Sequence, residues 1–459
     1  MIRTYTLSKG SKMPLYEQLY RAIRQDILQG ELKGGEKLPS KRVLAEHLSV
    51  SKITVETAYA QLLAEGYITS RQRSGYYAEH LSQDQPSELP MQQKDAAQPP
   101  YARTPSQSLF PLSVWGRLQR SVLQEGGSTL LRPAPHEGLY ALRAAIAAEL
   151  FRLRRMQVNP EQIVIGAGAE YFYSLLIPFF GRDKIYAPEE LGHRKIAQVC
   201  ELHGVQVRPL RMDRDGILPE ALEKSGADIL HLSPSHHFPT GAITPVARRQ
   251  YIMHWLSQSD ARWVIEDDYD SEFRFSGLPI PTLQSMDRCG RVIYMNTFST
   301  TLTPSLRISY MILPQSLLPR WRAQMGFYYC AVPTIEQMTL AKFLSDGYFE
   351  KHLNRIKKHY RTLYARLSTA LSAISDRCTA LGTGAGLHLP LKIRTCLSDR
   401  ELLAGIRSLS PDSALLRSFY IDEAPQSANG CVVLNYADFT ERDVDRLIAL
   451  LRTLPPEKE

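Results

Sequence analysis

The sequence predicts an α/β protein in two parts: a small helical domain with a hairpin, then a large domain with a mainly parallel sheet. Two observations support this. The first 80 residues carry apolar residues at helical spacing followed by an alternating run, and short apolar runs alternate with amphipathic segments beyond residue 110. A length of 459 residues with 44% hydrophobic and 22% charged residues is typical of a soluble protein of two or three domains.

Three helices are predicted over residues 16–66. The first covers residues 16–28, and Gly30 follows as its C-cap. Ser40 and Ser51 are typical N-cap residues for the second and third, and Gly66 ends the third. The predicted inward-facing residues are Leu19, Ile23 and Ile27 of the first helix, Val43, Leu44 and Leu48 of the second, and Val55, Ala58 and Leu62 of the third. "YITSRQRSGYYA" then predicts a short β-hairpin with a basic tip.

Helix, turn, helix and basic hairpin form the pattern of a winged helix-turn-helix, whose third helix here lies in the major groove of double-stranded DNA. Residues 1–80 hold 12 Lys and Arg against 8 Asp and Glu. Cations at a helix start are unfavourable unless an anion such as phosphate lies nearby. The candidate DNA-binding residues are Lys41, Arg42, Ser51, Lys52, Thr54, Thr57, Arg71, Arg73, Ser74 and Gly75. The alternative is a helical bundle whose cations are only solvated.

This stretch resembles the GntR-type winged-helix domain over about 65 residues. The matching segments are "PLYEQLYRAI", "GEKLPSKRVLA" and "VSKITVETAYAQLLAEGYI". We therefore expect a DNA-binding domain at residues 12–80. Residues 81–108 are rich in Gln, Pro and Ser and nearly free of large aliphatic residues, which predicts a flexible linker. The large domain then covers residues 109–459.

Polar residues follow three strand-like runs of the large domain. A small-residue turn with Gly168, Ala169 and Glu170 follows "QIVI", and its free backbone amides suit a phosphate. Asp267 and Tyr269 follow "RWVIE". Ser299, Thr300 and Arg307 follow "VIYMN". Ligands of parallel sheets bind at the carboxyl ends of the strands, so these residues can hold a phosphorylated nitrogen heterocycle. Taken singly, Asp267 can be a helix cap and Arg307 a surface ion-pair partner.

The large domain resembles fold-type I aminotransferases, and the whole chain is similar to MocR-like regulators. The resemblance rests on "LYALRAAIAAEL", "EQIVIGAGAE", "LSPSHHFPTGAITPVARR", "VIEDDYDSEFRF" and "TFSTTLTPSLRISYMILP". It implies pyridoxal 5'-phosphate as cofactor, with Asp267 on the pyridine nitrogen, Tyr269 on the 3-hydroxyl, and Ser299 and Arg307 on the phosphate. It also implies a head-to-tail homodimer.

Three positions depart from the family pattern. Thr300 stands where relatives carry the lysine that binds the cofactor covalently, and a threonine hydroxyl can neither form that bond nor shuttle its proton. Glu190 stands where a tyrosine usually covers the cofactor, and Glu170 where an amide is more usual. Thr300 can be a deliberate replacement, a natural feature of a site that holds the cofactor or its amino-acid adduct non-covalently, or a sign of a new ligand. The second explanation is favoured, because Asp267, Tyr269, Ser299 and Arg307 remain.

The expected function is therefore a DNA-binding transcriptional regulator whose aminotransferase-like domain senses a small-molecule effector, with no catalytic residues. The alternative is an active pyridoxal phosphate-dependent aminotransferase with an accessory DNA-binding head. The N-terminus lacks a secretory signal, and no apolar run reaches the length of a membrane span. Six scattered cysteines without a C-x-x-C pair predict neither a metal site nor disulfides, which fits a cytoplasmic location.

Overall fold

The structure of the protein, a computed structural model, describes residues 3–8, 10, 13–71, 74–80, 107–275, 280–382 and 385–456. The chain divides into two compact units, Met1–Ala97 and Gln98–Glu459. The linker predicted for residues 81–108 lies outside the described residues, apart from its last two positions.

The first unit has the predicted order of three helices and a hairpin. Its elements are α1 (Leu15–Leu28), α2 (Lys41–Leu48), α3 (Lys52–Ala64), β1 (Ile68–Arg71) and β2 (Gly75–Ala78). Both predicted caps are confirmed, because the Ser40 hydroxyl accepts the amide of Val43 and the Ser51 hydroxyl accepts the amide of Thr54.

The core of the first unit contains eight of the nine predicted inward-facing residues, with Leu48 half-buried at its edge. Val43 was predicted wrongly, since it is 42% exposed. Leu44, Ala45 and Leu48 share one face of the short helix α2, and Val43 is turned about 100° away from Leu44 on the helical wheel.

The large unit begins with helices that surround the first strands of a sheet. These elements are α4 (Leu112–Glu125), α5 (Tyr140–Arg154), β3 (Ile163–Gly166), α6 (Ala169–Phe180), β4 (Ile185–Pro188), α7 (Arg194–Leu202) and β5 (Gln206–Val207). The middle of the unit consists of β6 (Met212–Asp213), β7 (Gly216–Ile217), α8 (Pro219–Lys224), β8 (Ile229–Leu232), α9 (Val246–Ser257), β9 (Trp263–Asp267), α10 (Leu283–Met286), β10 (Val292–Thr297) and β11 (Ser309–Ile312).

The remaining elements of the unit include a four-stranded sheet. They are α11 (Leu318–Met325), α12 (Thr334–Ser345), α13 (Tyr348–Ser372), β12 (Cys378–Ala380), β13 (His388–Ile393), α14 (Asp399–Arg407), β14 (Ala414–Leu415), β15 (Cys431–Asn435) and α15 (Glu441–Thr453). The strands of this sheet lie in the order β12-β13-β15-β14. None of the described helices is long and apolar enough to cross a membrane.

The central sheet has seven strands in the order β3-β11-β10-β9-β8-β4-β5. Strands β10, β9, β8, β4 and β5 are parallel, and β11 is antiparallel to both of its neighbours. This confirms the predicted α/β fold with a mainly parallel sheet. The strands are buried on both faces, as expected when helices cover both sides. The carboxyl ends of β9 and β10 are adjacent, because Asp267 pairs in register with Met295.

A buried ion pair anchors the segment that follows β9. The carboxylate of Asp268 accepts from the Arg154 guanidinium at 2.6 Å, from the Tyr294 hydroxyl at 2.6 Å and from the Ser271 hydroxyl at 2.9 Å. Its backbone amide also donates to Met295 O at 2.9 Å. One carboxylate thus ties the end of α5, strand β10 and the loop after β9 together.

We expect Asp268→Ala to lower the free energy of unfolding by roughly 3–5 kcal/mol, because it leaves the buried Arg154 cation uncompensated. Urea unfolding followed by tryptophan fluorescence is the measurement, since all four tryptophans lie within residues 109–459. Asp445→Ala, which breaks the exposed pair with Arg366, is the matched control and should change stability little. Equal losses for the two variants would contradict this role of Asp268.

Candidate functional site

The main candidate site is a cavity of 440 Å³ at the carboxyl ends of the central strands. All eight cofactor-binding candidates line it: Gly168, Ala169, Glu170, Asp267, Tyr269, Ser299, Thr300 and Arg307. Residues that are up to 139 positions apart in sequence therefore meet because three strands end at the same edge of the sheet. Their assigned roles remain predictions, whereas their proximity is a feature of the fold.

Thr300 is buried and its hydroxyl is already engaged. It donates to the backbone carbonyl of Tyr269 at 2.5 Å, and Thr297 O lies 3.4 Å away. The side chain therefore connects the loop after β10 to the segment after β9. A hydroxyl that donates to a carbonyl in this way has no neighbouring base to activate it.

Arg307 faces the start of α6 from a tight turn. It follows the 3-10 turn Pro304–Leu306 and has a positive φ of 50°, which is uncommon outside glycine. Its guanidinium donates to Ala167 O at 2.7 Å and lies 3.3 Å from the Glu170 carboxylate. Glycine is favoured at position 168 because its φ is 115°, and a Cβ there would also lie 2.3 Å from the guanidinium nitrogen and displace it.

Glu170 is shared between two cations. Lys195 Nζ lies 3.5 Å from its second oxygen, opposite Arg307. Burial raises the pKa of Glu170, but its own backbone amide and the charges of Arg307 and Lys195 outweigh burial and hold the pKa below its ordinary value. The two cations therefore exceed the carboxylate by one positive charge at the start of helix α6, which favours an anion.

Buried polar side chains lie near Asp267, behind the residues that line the cavity. Tyr173 and His231 share a 2.6 Å hydrogen bond, and burial lowers the pKa of His231 to about 4, so its imidazole is neutral. Glu189 accepts from Ser233 N at 3.0 Å. Burial and the nearby Asp267 raise the pKa of Glu189 to about 8, so it is protonated at neutral pH. At neutral pH the carboxyl group nearest to Asp267 among these residues is therefore uncharged and does not repel it.

Tyr269 is backed by a histidine and a second carboxylate that sequence reasoning missed. Its hydroxyl lies 3.3 Å from Nδ1 of His236, and the same nitrogen lies 2.8 Å from the Asp270 carboxylate. Gly386 permits this packing, since a Cβ there would lie 2.5 Å from the His236 ring. The motifs "SHHF" and "DDYD" contain both residues, but only the fold shows that they meet.

Glu190, predicted to stand where relatives carry a tyrosine over the cofactor face, does not take that place in the structure. Its carboxylate accepts from Met212 N at 3.1 Å, and it is not among the described residues that line the cavity. His193 lines the cavity instead, with its ring 5.5 Å from that of Tyr269. The backbone amide of Glu190 pairs with Leu210 O, which directs residue 190 away from the cavity before α7 begins.

The second candidate site is the start of helices α2 and α3 with the hairpin. Arg42 and Lys52 are exposed, and each lies beside a carboxylate of its own helix: Arg42 is 3.0 Å from Glu46 and Lys52 is 4.0 Å from Glu56. Lys41 is half-buried, 3.4 Å from Glu56 and over the Tyr76 ring. Arg71 stacks on Tyr77, whose hydroxyl lies 2.6 Å from Ser74. Gly75 has a positive φ of 113° at the hairpin turn. Arg73 lies outside the described residues.

The hydroxyls predicted to contact DNA bond within their own helix. Ser51 and Thr54 lie 2.8 Å apart through their side-chain oxygens, and the Thr57 hydroxyl donates to Ile53 O at 2.9 Å. The cations and the hydroxyls therefore differ in their availability to DNA. The exposed ammonium and guanidinium groups remain accessible to a polyanion, whereas most of the hydroxyl protons already form hydrogen bonds within the helix.

Comparisons with known proteins agree with this arrangement of domains. Residues 15–77 match the model of the bacterial regulatory proteins of the gntR family. The chain is 34% identical over 457 residues to the uncharacterized HTH-type transcriptional regulator YdeL of Bacillus subtilis, covering 97% of this chain and 98% of YdeL. It is 31% identical over 482 residues to the probable rhizopine catabolism regulatory protein MocR of Rhizobium meliloti, covering 97% and 95%.

A solved structure shares the fold of the large unit. LysN, an α-aminoadipate aminotransferase from Thermus thermophilus in complex with N-(5'-phosphopyridoxyl)-L-leucine, superposes with a TM-score of 0.64 at 23% identity. The superposition covers 76% of this chain and 89% of LysN.

These findings define a protein with an N-terminal helix-turn-helix domain followed by a domain of the aminotransferase fold. The chain belongs to the GntR-family HTH-type transcriptional regulators of the MocR-type architecture. It is a DNA-binding transcriptional regulator, as predicted.

Glu189 predicts a pH dependence of stability. Because its folded-state pKa is raised from 4.5 to about 8, the folded chain holds a proton that the unfolded chain has lost between these values. Stability from this group is complete below the unfolded pKa and is lost as pH rises to about 8. We expect Glu189→Gln to reduce the fall in urea stability between pH 5 and 8. Parallel stability curves for the two proteins would contradict the assignment.

Proposed function

We propose that the large domain of this regulator binds pyridoxal 5'-phosphate, or its adduct with an amino acid, without a covalent bond, and that this ligand controls DNA binding. The observation that supports this most is that Asp267, Tyr269, Ser299 and Arg307 line one cavity. Thr300 lines it too, with its hydroxyl bonded to Tyr269 O, and the family resemblance assigns the lysine position to it. The phosphopyridoxyl ligand of LysN supports the choice of ligand.

The phosphate end of such a ligand fits the start of helix α6. The start of helix α6, Arg307 and Lys195 supply positive charge at one end of the cavity. Glu170 competes with such a phosphate, because its carboxylate already pairs with both cations. A bound phosphate would replace Glu170 as their counter-ion, and the displaced carboxylate lowers the affinity by repulsion.

The ring end fits the buried side of the cavity. Asp267 is a carboxylate at the end of β9, suited to a protonated pyridine nitrogen, and Tyr269 and His193 supply aromatic surface beside it. Pyridoxal phosphate, when bound, supplies an aldehyde that condenses reversibly with amino groups. Thr300 supplies no amine to this aldehyde, so the site holds the ligand through ion pairs and hydrogen bonds alone.

An active aminotransferase is disfavoured by the position of Lys195. It is the one lysine among the described residues that line the cavity, and its ammonium group pairs with Glu170 at the phosphate end. The neighbourhood of Thr300 instead contains backbone carbonyls of Tyr269 and Thr297. Among the described lining residues, no lysine thus lies beside Thr300 to carry out the proton transfer that the family lysine performs.

We further propose that residues 12–80 form the DNA-binding domain, residues 81–108 a linker and residues 109–459 the sensing domain, and that the protein is a homodimer. Phe327, Tyr328 and Tyr329 expose consecutive aromatic side chains in the loop after α11. An apolar patch of this kind is typical of a subunit interface.

The ligand proposal is tested by calorimetric titration of the full-length protein with pyridoxal 5'-phosphate, followed by borohydride reduction and intact mass measurement. We expect saturable binding without a site-specific mass increase. Arg307→Ala should weaken binding, and Glu170→Gln should strengthen it severalfold because it removes a negative charge near the phosphate.

The Thr300→Lys variant places an amine in the site and should gain the mass of one reduced ligand. The matched control is Ser305→Lys, which places a lysine at an exposed position of the same loop and should show no such mass gain. Steady turnover of an amino donor and a keto acid by the natural protein would support the aminotransferase alternative and contradict a purely sensing role. Absence of any binding would show that the cavity takes another ligand.

The DNA-binding residues are tested on an operator selected by the full-length protein from a random duplex library. We expect the joint substitution Arg42→Ala and Lys52→Ala to lower affinity strongly and to reduce the slope of log affinity against log salt by about 1.8, or about 0.9 per lost phosphate contact. Arg21→Ala together with Lys33→Ala, which removes two cations outside α2 and α3, is the control of equal charge. Equal effects of the two double variants would refute the assigned surface.

A further inference from the structure

Helix α3 exposes an apolar side chain where the family places its DNA-reading residues. Ile53, the second residue of the helix, is 72% exposed, the largest exposure of any large apolar residue described in the first unit. Thr57 and Ala60 are exposed at the i+4 and i+7 positions and share its face. The start of α3 therefore presents a row of methyl groups.

Hydrogen bonding within the helix makes this face more apolar than its sequence suggests. The hydroxyls of Ser51 and Thr54 contact each other at 2.8 Å, and the Thr57 hydroxyl donates to Ile53 O at 2.9 Å. What remains directed outward at the start of the helix is the ammonium group of Lys52 and the methyl groups of Ile53 and Thr57.

The occupant of this face is indicated by the charges around it. A single exposed isoleucine has no special meaning on an ordinary surface. Ile53, however, directly follows the exposed Lys52 in α3, and Arg42 is exposed in the first turn of helix α2. Both cations lie near carboxylates of their own helices, at exposed positions where a polyanion can compete for them. Duplex DNA combines phosphates with one exposed apolar group in its major groove, the C5-methyl of thymine.

We propose that Ile53 is a specificity-determining residue that contacts the C5-methyl group of a thymine in the operator, with the Thr57 methyl beside it. This inference rests on the proposed DNA-binding surface. Burial of one methyl against Ile53 corresponds to about a fourfold gain in affinity over a base without it. The contact discriminates thymine from cytosine and from uracil at one position of each half-site, and the cations set overall affinity without reading sequence.

The test uses the operator selected by the full-length protein and a series of duplexes in which each thymine in turn is replaced by uracil, which lacks only the methyl group. Affinity is measured by fluorescence anisotropy for the natural protein, for Ile53→Ala and for Leu63→Ala. Leu63 is a 41% exposed apolar residue near the other end of α3, so its truncation is the matched control. Both residues are exposed, and neither change should disturb the fold.

We expect one uracil position per half-site to weaken binding of the natural protein and of Leu63→Ala about fourfold, and to leave Ile53→Ala unaffected. Uniform tolerance of uracil by the natural protein, or the same uracil profile for Ile53→Ala, overturns the inference and leaves DNA binding intact. If the natural protein selects no duplex at all, both the proposed DNA-binding surface and the role of Ile53 are contradicted.

Discussion

The buried ion pair between Arg154 and Asp268 is the interaction on which the cavity depends. It joins the end of helix α5 to the segment after β9, and the same carboxylate accepts the hydroxyl of Tyr294 on strand β10. A pair of this kind is strongly destabilising when one partner is removed. It thereby fixes the chain between Asp267 and Asp270. The Thr300 hydroxyl, which donates to Tyr269 O, holds the loop after β10 against this fixed segment.

The positions of these two segments determine which ligands the cavity can hold. It holds two ends of opposite character: a cationic end with Arg307 and Lys195, and a buried end where Asp267 lies near a protonated Glu189. Such a site can orient a ligand with an anionic group and a cationic ring. Under the proposed function, the binding energy of the ligand shifts a conformational equilibrium, which is what a sensor requires. Glu170 adds competition with the ligand and so favours a response only at a raised ligand concentration.

Much of the fold could be predicted because its signals are local. The caps Ser40 and Ser51 and the apolar strand runs depend on neighbouring residues, and all of these elements formed as expected. The adjacency of the residues after β3, β9 and β10 followed from the rule that parallel strands end at one edge.

The errors and omissions arose where the outcome depends on non-local contacts. Val43 faces solvent because the eight-residue helix α2 packs through the neighbouring face. Glu190 is directed away from the cavity by its backbone pairing with Leu210, and His193 takes the position on the cavity. The contact between His236 and Asp270 joins residues 34 positions apart, for which the sequence gives no spacing signal.

Control of DNA binding by the cavity ligand is tested by the operator affinity of the full-length protein, measured with and without pyridoxal 5'-phosphate at a concentration that saturates the cavity. Because the aldehyde also reacts with exposed lysines, Arg307→Ala, which keeps every lysine, is measured in parallel. We expect a severalfold change in operator affinity for the natural protein and none for Arg307→Ala, because the ligand can shift DNA binding only where it binds the cavity. Identical operator affinities of the natural protein with an empty and a saturated cavity would contradict control by the cavity ligand.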